Sequence, residues 1–274
     1  MVSPPSPLIL PLLVLLCTSQ VVCLDIDLTC EGCFCAATEE YPCPTDWAPQ
    51  TTFSEEMIAD FRSKKLISPP LSLSCNPYKD SACTTTPPQT EDSENAVCAF
   101  KYSGDPSCST YEAITYPTQA AADADGAFVT HLHACGLCSS AQDLSVYLAN
   151  PDMTAAGKKC AEKSIVSNSW GLKCYLDLGY TPGCAQIWQY DSAKTTSACT
   201  AVCFKNLNSP NNGPAPECKI NDCLQCDEDK AGPLFKAFAG RTRRRSGLMS
   251  AIIRGCDDIA QITQSVCNLG ATII

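Results

Sequence analysis

The sequence predicts an α-rich α+β fold: a bundle of short helices stapled by disulfides, with a small irregular or β section at the N-terminus. Three observations lead to this prediction. The 274 residues include 22 cysteines, about 8%, a level typical of disulfide scaffolds. Helical periodicity dominates the middle and C-terminal parts, whereas strand-like alternation appears near the N-terminus. With 45% hydrophobic and 18% charged residues, the chain has enough apolar surface for a packed core, which excludes wholesale disorder.

Residues 1–23 have the layout of a secretory signal peptide. Residues 8–16 form a short apolar run, and Val21 and Cys23 occupy the −3 and −1 positions of a cleavage site before Leu24. The segment lacks an early Lys or Arg, so a retained signal anchor is the alternative, but the run is short for a span of about 20 residues. We therefore expect a secreted protein or one in the lumen of the secretory pathway, without a stable membrane span after cleavage.

Cleavage would leave 20 of the 22 cysteines, an even number that favours complete pairing in up to ten disulfides. The sequence does not fix their connectivity. The net charge of −10 argues against a nucleic-acid ligand, which needs a basic footprint. The charge is uneven, because residues 24–130 hold 17 acids and 5 bases whereas residues 205–274 hold 7 acids and 9 bases.

The section at 24–117 is expected to be cysteine-rich and irregular, with short strands. It opens with the cluster LTCEGCFCAATEEYPC and continues through proline pairs and the polar run TTTPPQTEDSEN. The segments NAVCAFKY and STYEAITY alternate as half-buried strands do, and the turn SGDPSC separates them. This pattern predicts a hairpin that Cys98 and Cys108 would pin together.

The section at 118–207 is predicted to be a helical domain of four to six short helices laced by disulfides. Start and stop signals bound the candidates: a stop at Asn150, an N-cap at Asp152 or Thr154, a C-terminal glycine at Gly179, and Thr181 before a proline. The helical segments are QAAADADGAFVTH, SSAQDLSVYLAN, TAAGKKCAEKSIV, CYLDLGY, GCAQIWQYD and SACTAVCF, the last with Cys199 and Cys203 on one face.

The section at 208–274 is predicted to be a C-terminal helical pair with a basic turn, packed on the helical domain. After the loop NLNSPNNGPAPEC, the segments GPLFKAFAG and SGLMSAIIRGCDDIAQI look like two amphipathic helices joined by RTRRR. Leu248, Ile252, Cys256 and Ile259 would form one stripe of the second helix.

Both histidines of the chain lie close to two cysteines, at His131, His133, Cys135 and Cys138. These residue types suit zinc, but four ligands from so short a run would be strained, so a metal site is disfavoured. CGLC is also a C-x-x-C pair before a predicted helix, as in thiol redox sites. No β-α-β pattern surrounds it, and CEGC at 30–33 and CLQC at 223–226 share its spacing, so structural disulfides explain it as well.

A third hypothesis makes His131 or His133 a general acid or base, oriented by Asp143 or Asp177. No downstream histidine exists for a papain-like pair, and no G-x-S-x-G or nucleotide-binding glycine motif occurs. If the chain is an enzyme, these four residues, His131, His133, Cys135 and Cys138, are the catalytic candidates. The aromatic residues at 170–190, including Trp170 and Trp188, could line a pocket but more often belong to a core.

Arg241, Arg243, Arg244 and Arg245 form the candidate anion-binding site. They lie between a glycine that would end one helix and a predicted helix start at Ser246, and both guanidinium groups and helix N-termini attract anions. The same run resembles the R-x-R-R site of secretory proprotein convertases. In a third interpretation the arginines pair with the chain's own acids, notably those at 227–229.

At CGLCSSAQDLSVYL, LGYTPGCAQIWQYD and CLQCDEDKAGPLFKAFAGRTRRRSGLMSAIIRGC the chain resembles secreted cysteine-rich proteins of marine microalgae whose function is not established. The resemblance covers residues 95–267. It implies an exported protein of several sections, and it brings no activity, ligand or catalytic residue.

These observations favour a secreted or lumenal protein with a non-catalytic recognition or extracellular structural role, which binds an anionic ligand or extracellular partner at the arginine run 241–245. The alternative is a lumenal enzyme, by thiol redox, metal-assisted or histidine acid–base chemistry, centred on His131, His133, Cys135 and Cys138. We expect no cofactor.

Overall fold

The computed structural model describes residues 50, 52–85, 95–104, 106–214, 217–255 and 258–267. The predicted signal peptide, the N-terminal cysteine cluster and most of the polar run TTTPPQTEDSEN lie outside these residues. Over the described part, the chain is the predicted α-rich α+β fold, with eight α-helices, one four-stranded sheet and seven disulfides between described cysteines. Among the helices of these described residues, none is both long and apolar enough to cross a membrane.

The sheet has the strand order β1-β3-β2-β4, with strands at Lys65–Leu66 (β1), Val97–Tyr102 (β2), Thr110–Tyr116 (β3) and Phe128–Leu132 (β4). β2 runs antiparallel to both β3 and β4, and β1 runs parallel to β3. The predicted hairpin is therefore confirmed as β2 and β3. Its predicted pin is wrong, because the register pairs Cys98 with Thr115 at the open end of the hairpin, whereas Cys108 lies near the turn. Cys98 bonds instead to Cys135, and Cys108 to Cys267.

The helices are Glu55–Ser63 (α1), Gln119–Ala124 (α2), Ala141–Ala149 (α3), Met153–Val166 (α4), Asn168–Asp177 (α5), Pro182–Lys205 (α6), Asp222–Lys230 (α7) and Gly232–Ala239 (α8). Several predicted boundaries are confirmed. α3 ends before Asn150, and the Asp152 carboxylate accepts from the first backbone amides of α4. Thr181 is the N-cap of α6 and Pro182 its first residue.

Two segments differ from the predicted helices because a glycine adopts a positive φ. In QAAADADGAFVTH, α2 stops at Ala124, Gly126 turns the chain at φ +67°, and the following residues form strand β4. The other segment, SGLMSAIIRGCDDIAQI, is not helical where it is described. A short 3-10 helix at Arg244–Ser246 ends at Gly247, with φ +71°, where a Cβ atom would stand 2.1 Å from the Ile262 oxygen.

The apolar residues of this second segment reach the core without a helix. Leu248, Ile253 and Ile259 are buried, and side chains satisfy the backbone: the Asn212 amide bonds the backbone N–H and C=O of Ile253. Of the predicted stripe, Leu248 and Ile259 are buried, Ile252 is only partly buried, and Cys256 lies outside the described residues. The core residues of this segment were thus predicted in part, and the helical period was wrong.

One large core cluster draws on the described part of every section, from Phe61 in α1 through Leu144 in α3 and Ile187 in α6 to Phe238 in α8. Disulfides tie its layers together. Cys199 and Cys203 bond to Cys226 and Cys223 and so join α6 to α7, which confirms that the first two share a helix face; the other bridges are Cys75–Cys83, Cys98–Cys135, Cys108–Cys267, Cys138–Cys184 and Cys160–Cys174. Cys218 is disulfide-bonded as well.

Candidate functional site

His131 lies on β4 and is fully buried. Its Nδ1 is 2.8 Å from the Leu132 carbonyl oxygen, which can only accept, so Nδ1 carries the proton. Nε2 therefore accepts from the Ser139 hydroxyl at 2.8 Å, and that hydroxyl in turn accepts from the Gly136 amide. Burial, and then the charge of Arg241, lower the pKa of His131 well below its usual value. The imidazole ring of His131 is therefore neutral and links the Leu132 carbonyl to the Ser139 hydroxyl within the core.

His133 follows β4 with φ +67°, and its amide donates to the Ala96 carbonyl at 2.5 Å. The two acids predicted to orient a catalytic histidine are engaged elsewhere. Asp143 accepts from Ser140 and Thr181, and Asp177 forms an ion pair with Lys173 at 2.6 Å. His131 is therefore not oriented by either acid, because its two ring nitrogens contact the Leu132 carbonyl and the Ser139 hydroxyl.

Cys135 and Cys138 belong to two different disulfides, Cys98–Cys135 and Cys138–Cys184. The first joins the loop after β4 to β2, and the second joins the loop before α3 to α6. The C-x-x-C pair is thus not a disulfide of its own, and neither sulfur is a thiolate. In the described residues no group of three or more His, Cys, Asp or Glu side chains is arranged to hold a metal ion.

These two bridges predict the outcome of alkylation. Native protein treated with iodoacetamide without reductant is expected to carry no label on the peptides that contain Cys135 and Cys138, because a disulfide sulfur is not the nucleophile that alkylation needs. The same peptides from reduced, denatured protein should be fully labelled, as read by peptide mass spectrometry. Label on either cysteine before reduction would contradict the assignment and reopen the thiol-redox hypothesis.

Arg241 is fully buried, and its guanidinium joins three separate segments. Nε donates to the Cys138 carbonyl at 3.1 Å, and the terminal nitrogens donate to the Thr130 carbonyl, the Thr130 hydroxyl and Ser246 Oγ at 3.1, 2.9 and 3.2 Å. The group also lies 5.9 Å from the centre of the Phe100 ring. Burial lowers the pKa of Arg241 to about 10, so it stays charged at neutral pH. Arg241 is a structural tie and presents nothing to solvent.

Arg243 closes the C-terminal end of α3. Its guanidinium donates to the carbonyls of Tyr147 and Asn150, and its Nε donates to the Met249 carbonyl at 2.6 Å. The last carbonyls of a helix lack partners within the helix, and a cation there also complements the helix dipole. Arg243 thus fastens the segment after the 3-10 turn to α3.

Arg245 plays the same part at the end of α8. Its guanidinium donates to the carbonyls of Lys236 and Gly240 at 2.9 and 3.1 Å. The arginine run therefore does not form one surface, since its members face different helix ends.

Arg244 belongs to a group of cations around one carboxylate, which we call the basic cluster: Lys236, Arg244 and Arg254 about Glu228. Lys236, Arg244 and Arg254 pair with Glu228 at 2.7, 3.2 and 2.8 Å. Burial opposes the ionisation of Glu228, but these cations prevail and hold its pKa below the usual value. Arg244 thus pairs with one of the three acids that the sequence offered. Sequence reasoning missed Lys236 and Arg254, because only the fold brings them beside the run.

Two expectations tied to this run change with the structure. The helix start predicted at Ser246 does not exist, because Gly247 ends a 3-10 turn there, so no helix N-terminus supports an anion. In the R-x-R-R pattern Arg241 is fully buried and Arg243 is partly buried, so a processing protease cannot reach the whole pattern in the folded chain.

Asp143 is a buried acid that joins two helix N-termini, whereas the sequence predicted for it only the role of orienting a histidine. Its carboxylate accepts from the Ser140 hydroxyl at 2.6 Å, from the Thr181 amide at 2.8 Å and from the Thr181 hydroxyl at 2.9 Å, which links the N-caps of α3 and α6. Burial raises the pKa of Asp143 to about 6, against the opposite effect of these hydrogen bonds. An acid three residues after an N-cap serine was the signal available.

A cavity of about 480 Å³ lies beside these two N-caps. The segment after β1, the loop before α3 and the start of α6 line it, and Ser140 and Thr181 contribute to its wall. We name it the N-cap cavity.

The aromatic residues of the helical section form core. Trp188 packs against Tyr147, Tyr175, Tyr180 and Phe235, with ring centres 4.6 to 6.4 Å apart. Trp170 points the other way and is 59% exposed. The pocket that these aromatics could have lined is filled by the rings themselves.

Residues 168–262 match the model of DUF8771, a family of unknown function. The matched segment runs from the start of α5 through the basic cluster, and it leaves His131 and the two cysteines beside it outside. No curated protein and no solved structure matches the chain. The chain is thus a disulfide-rich protein that contains a domain of unknown function.

Proposed function

We propose that this chain is a secreted or lumenal recognition protein without a catalytic role, which binds the anionic group of an extracellular partner at the basic cluster. The observation that carries this proposal is the gathering of three cations around one carboxylate on a protein whose net charge is −10. An excess of positive charge at one place on an acidic protein attracts anions selectively to that place.

Glu228 cannot satisfy all of its neighbours. A carboxylate has about four lone-pair sites, whereas each guanidinium has five N–H donors and an ammonium has three. Asp258 is 3.8 Å from Arg244, which is a weak contact, and Asp191 and Asp227 act on Lys236 only through longer-range electrostatics. Burial, and then the charge of Arg244, lower the pKa of Arg245 to about 10, as expected where like charges are close. An additional anion would relieve this repulsion.

The cluster can be reached from solvent. The side chains of Lys236, Arg244 and Arg254 are 31%, 29% and 17% exposed. Arginine is the residue best suited to planar recognition of carboxylate, phosphate or sulfate, because its fork matches two oxygens at once. The geometry therefore favours a ligand with such a group at its tip.

An exported location is supported by the disulfides, which persist in oxidising compartments and are rare in the cytosol. The likeness to secreted cysteine-rich proteins of marine microalgae stays a prediction that agrees with this location. The enzyme alternative has less support, because Cys135 and Cys138 are bridged and His131 is buried and neutral.

The test compares two variants with the same change in net charge. In Arg244→Gln/Arg254→Gln, elution from immobilised heparin is expected at clearly lower salt than wild type, and NMR shifts on titration with inorganic sulfate should vanish at the cluster. Lys158→Gln/Lys159→Gln removes two exposed cations from α4 and should behave as wild type. Equal loss in both variants, or no binding by wild type, would sink the proposal.

A further inference from the structure

The N-cap cavity has an apolar body. Leu66, Pro69, Leu71 and Leu73 from the segment after β1 face Leu137 and Pro182 across it. Its volume of about 480 Å³ lies within the roughly 300–1,000 Å³ typical of ligand pockets. None of the described residues that line it carries a charge. A ligand for this space is therefore mostly apolar.

Two of the walls, the loop before α3 and the start of α6, are held together before any ligand arrives. The Cys138–Cys184 disulfide joins the loop before α3 to the first turn of α6. On the other side of that loop, the Leu137 and Cys138 amides donate to the Phe238 and Ala239 carbonyls, each at 2.9 Å. A preformed pocket spends little binding free energy on ordering its own groups.

Two hydroxyl groups of the cavity wall can accept hydrogen bonds from a ligand but cannot donate them. Ser140 and Thr181 both line the cavity, and both commit their hydroxyl protons to the Asp143 carboxylate, at 2.6 and 2.9 Å. A hydroxyl whose proton is committed can offer only its oxygen, as an acceptor. A ligand group at this wall must therefore donate a hydrogen bond.

A donor lies on the same cavity wall. Gln186 lines the cavity, and one of the two protons of its Nε2 accounts for the 3.4 Å bond to Gln189, so a second N–H of the same amide exists for a ligand oxygen. A ligand hydroxyl meets both demands, since it donates and accepts. A carboxylate is excluded, because it would carry its charge into an apolar cavity against the buried Asp143.

We propose that the N-cap cavity binds a small neutral molecule, mostly apolar, that carries a hydroxyl group. This site shares no residue with the basic cluster, so the two proposals stand or fall separately. The hydroxyl donates to the oxygens of Ser140 and Thr181 and accepts from Gln186, while the hydrocarbon part displaces water from the leucine and proline walls.

Menthol and menthone are the probes. Both are small, neutral and mostly apolar, and they differ only in that menthol carries a hydroxyl group where menthone carries a ketone. Saturable binding of menthol is expected by ligand-observed NMR, with menthone weaker by about tenfold or more, since the ketone leaves the acceptor wall unpaired. In wild-type protein, nuclear Overhauser contacts should connect menthol methyls to Leu71 and Leu73, a readout that needs no variant.

Two matched variants locate the site. Ser72 is exposed and lines the cavity, whereas Ser74 is exposed on the same segment and does not line it. Ser72→Trp should weaken menthol binding at least about tenfold by filling the space, and Ser74→Trp should leave it unchanged. The proposal is overturned by an absence of saturable menthol binding, by equal affinity for menthone, or by contacts to residues outside the cavity.

Discussion

Replacing Arg241 with methionine is expected to lower the free energy of unfolding by at least about 3 kcal/mol. The side chain makes four hydrogen bonds to buried groups of three segments, and bonds from a charged donor contribute about 1.5–3 kcal/mol each. The cost of burying the charge opposes them. Burial lowers the pKa of Arg241 to about 10, yet the guanidinium stays charged at neutral pH, so its four bonds keep the strength of charged donors.

Arg244→Met is the matched control, with the same substitution three positions away at a partly exposed ion pair, where about 1 kcal/mol or less is expected. The measurement is urea unfolding of the oxidised proteins followed by circular dichroism. Arg241→Lys should recover little of the loss, because an ammonium keeps the charge but cannot reach three segments as a fork does. Equal midpoints for Arg241→Met and Arg244→Met would show that the buried network is not a structural tie.

The arginine run illustrates what the sequence could and could not predict. The acids at 227–229 precede the run by fewer than 20 positions, so the sequence could suggest a pairing, and Arg244 does pair with Glu228. Arg241 and Arg243 also donate to backbone carbonyls about a hundred positions away, such as those of Cys138 and Tyr147. Every residue has a carbonyl, so no residue type in the sequence marks such an acceptor.

Local signals predicted the helical section well for the opposite reason. Asp152, Thr181 and Pro182 act on the amides within a few positions of themselves, and their helices begin where expected. Local signals did not predict the structure of the segment after Gly247. The spacing of its apolar residues Leu248 and Ile259 is equally consistent with a helix and with a buried irregular chain. Long-range bonds decided the outcome, such as Gln264 Nε2 to the Ser246 carbonyl at 2.8 Å.

Cysteine abundance had a double effect on the candidate site. It predicted the disulfide-stapled fold correctly, yet it concealed that Cys135 and Cys138 belong to different bridges. Connectivity depends on which elements pack together, and here β2 and α6 approach the loop before α3 from two sides. The same packing places Asp143 between two N-caps, which no local spacing between residues 143 and 181 could reveal.

The buried carboxyl of Asp143 makes a sharp prediction about pH. Burial raises its pKa in the folded protein to about 6, from an ordinary value of 3.8 that applies when the chain is unfolded. Between these values the folded state binds more protons than the unfolded state, so this group's contribution to the free energy of unfolding rises as the pH falls from about 7 to about 4. The gain is about 2 kcal/mol by pH 4.

Other buried groups titrate over the same range, and His131, with its lowered pKa, acts in the opposite direction. The comparison of wild type with Asp143→Asn removes them, because they are common to both proteins and cancel in the difference. We expect the free energy of unfolding of wild type to rise by about 2 kcal/mol relative to that of Asp143→Asn between pH 7.5 and pH 4, as measured by urea unfolding at each pH.

Asp177→Asn is the control, because this exposed carboxylate pairs with Lys173 and its loss measures the general effect of removing one acid from an acidic protein. A difference that stays flat with pH for Asp143→Asn, or matches that of Asp177→Asn, would mean that the carboxyl between the two helix N-termini ionises as readily folded as unfolded. The hydrogen bonds from Ser140 and Thr181 would then fully offset the cost of burying the Asp143 carboxylate between the N-caps of α3 and α6.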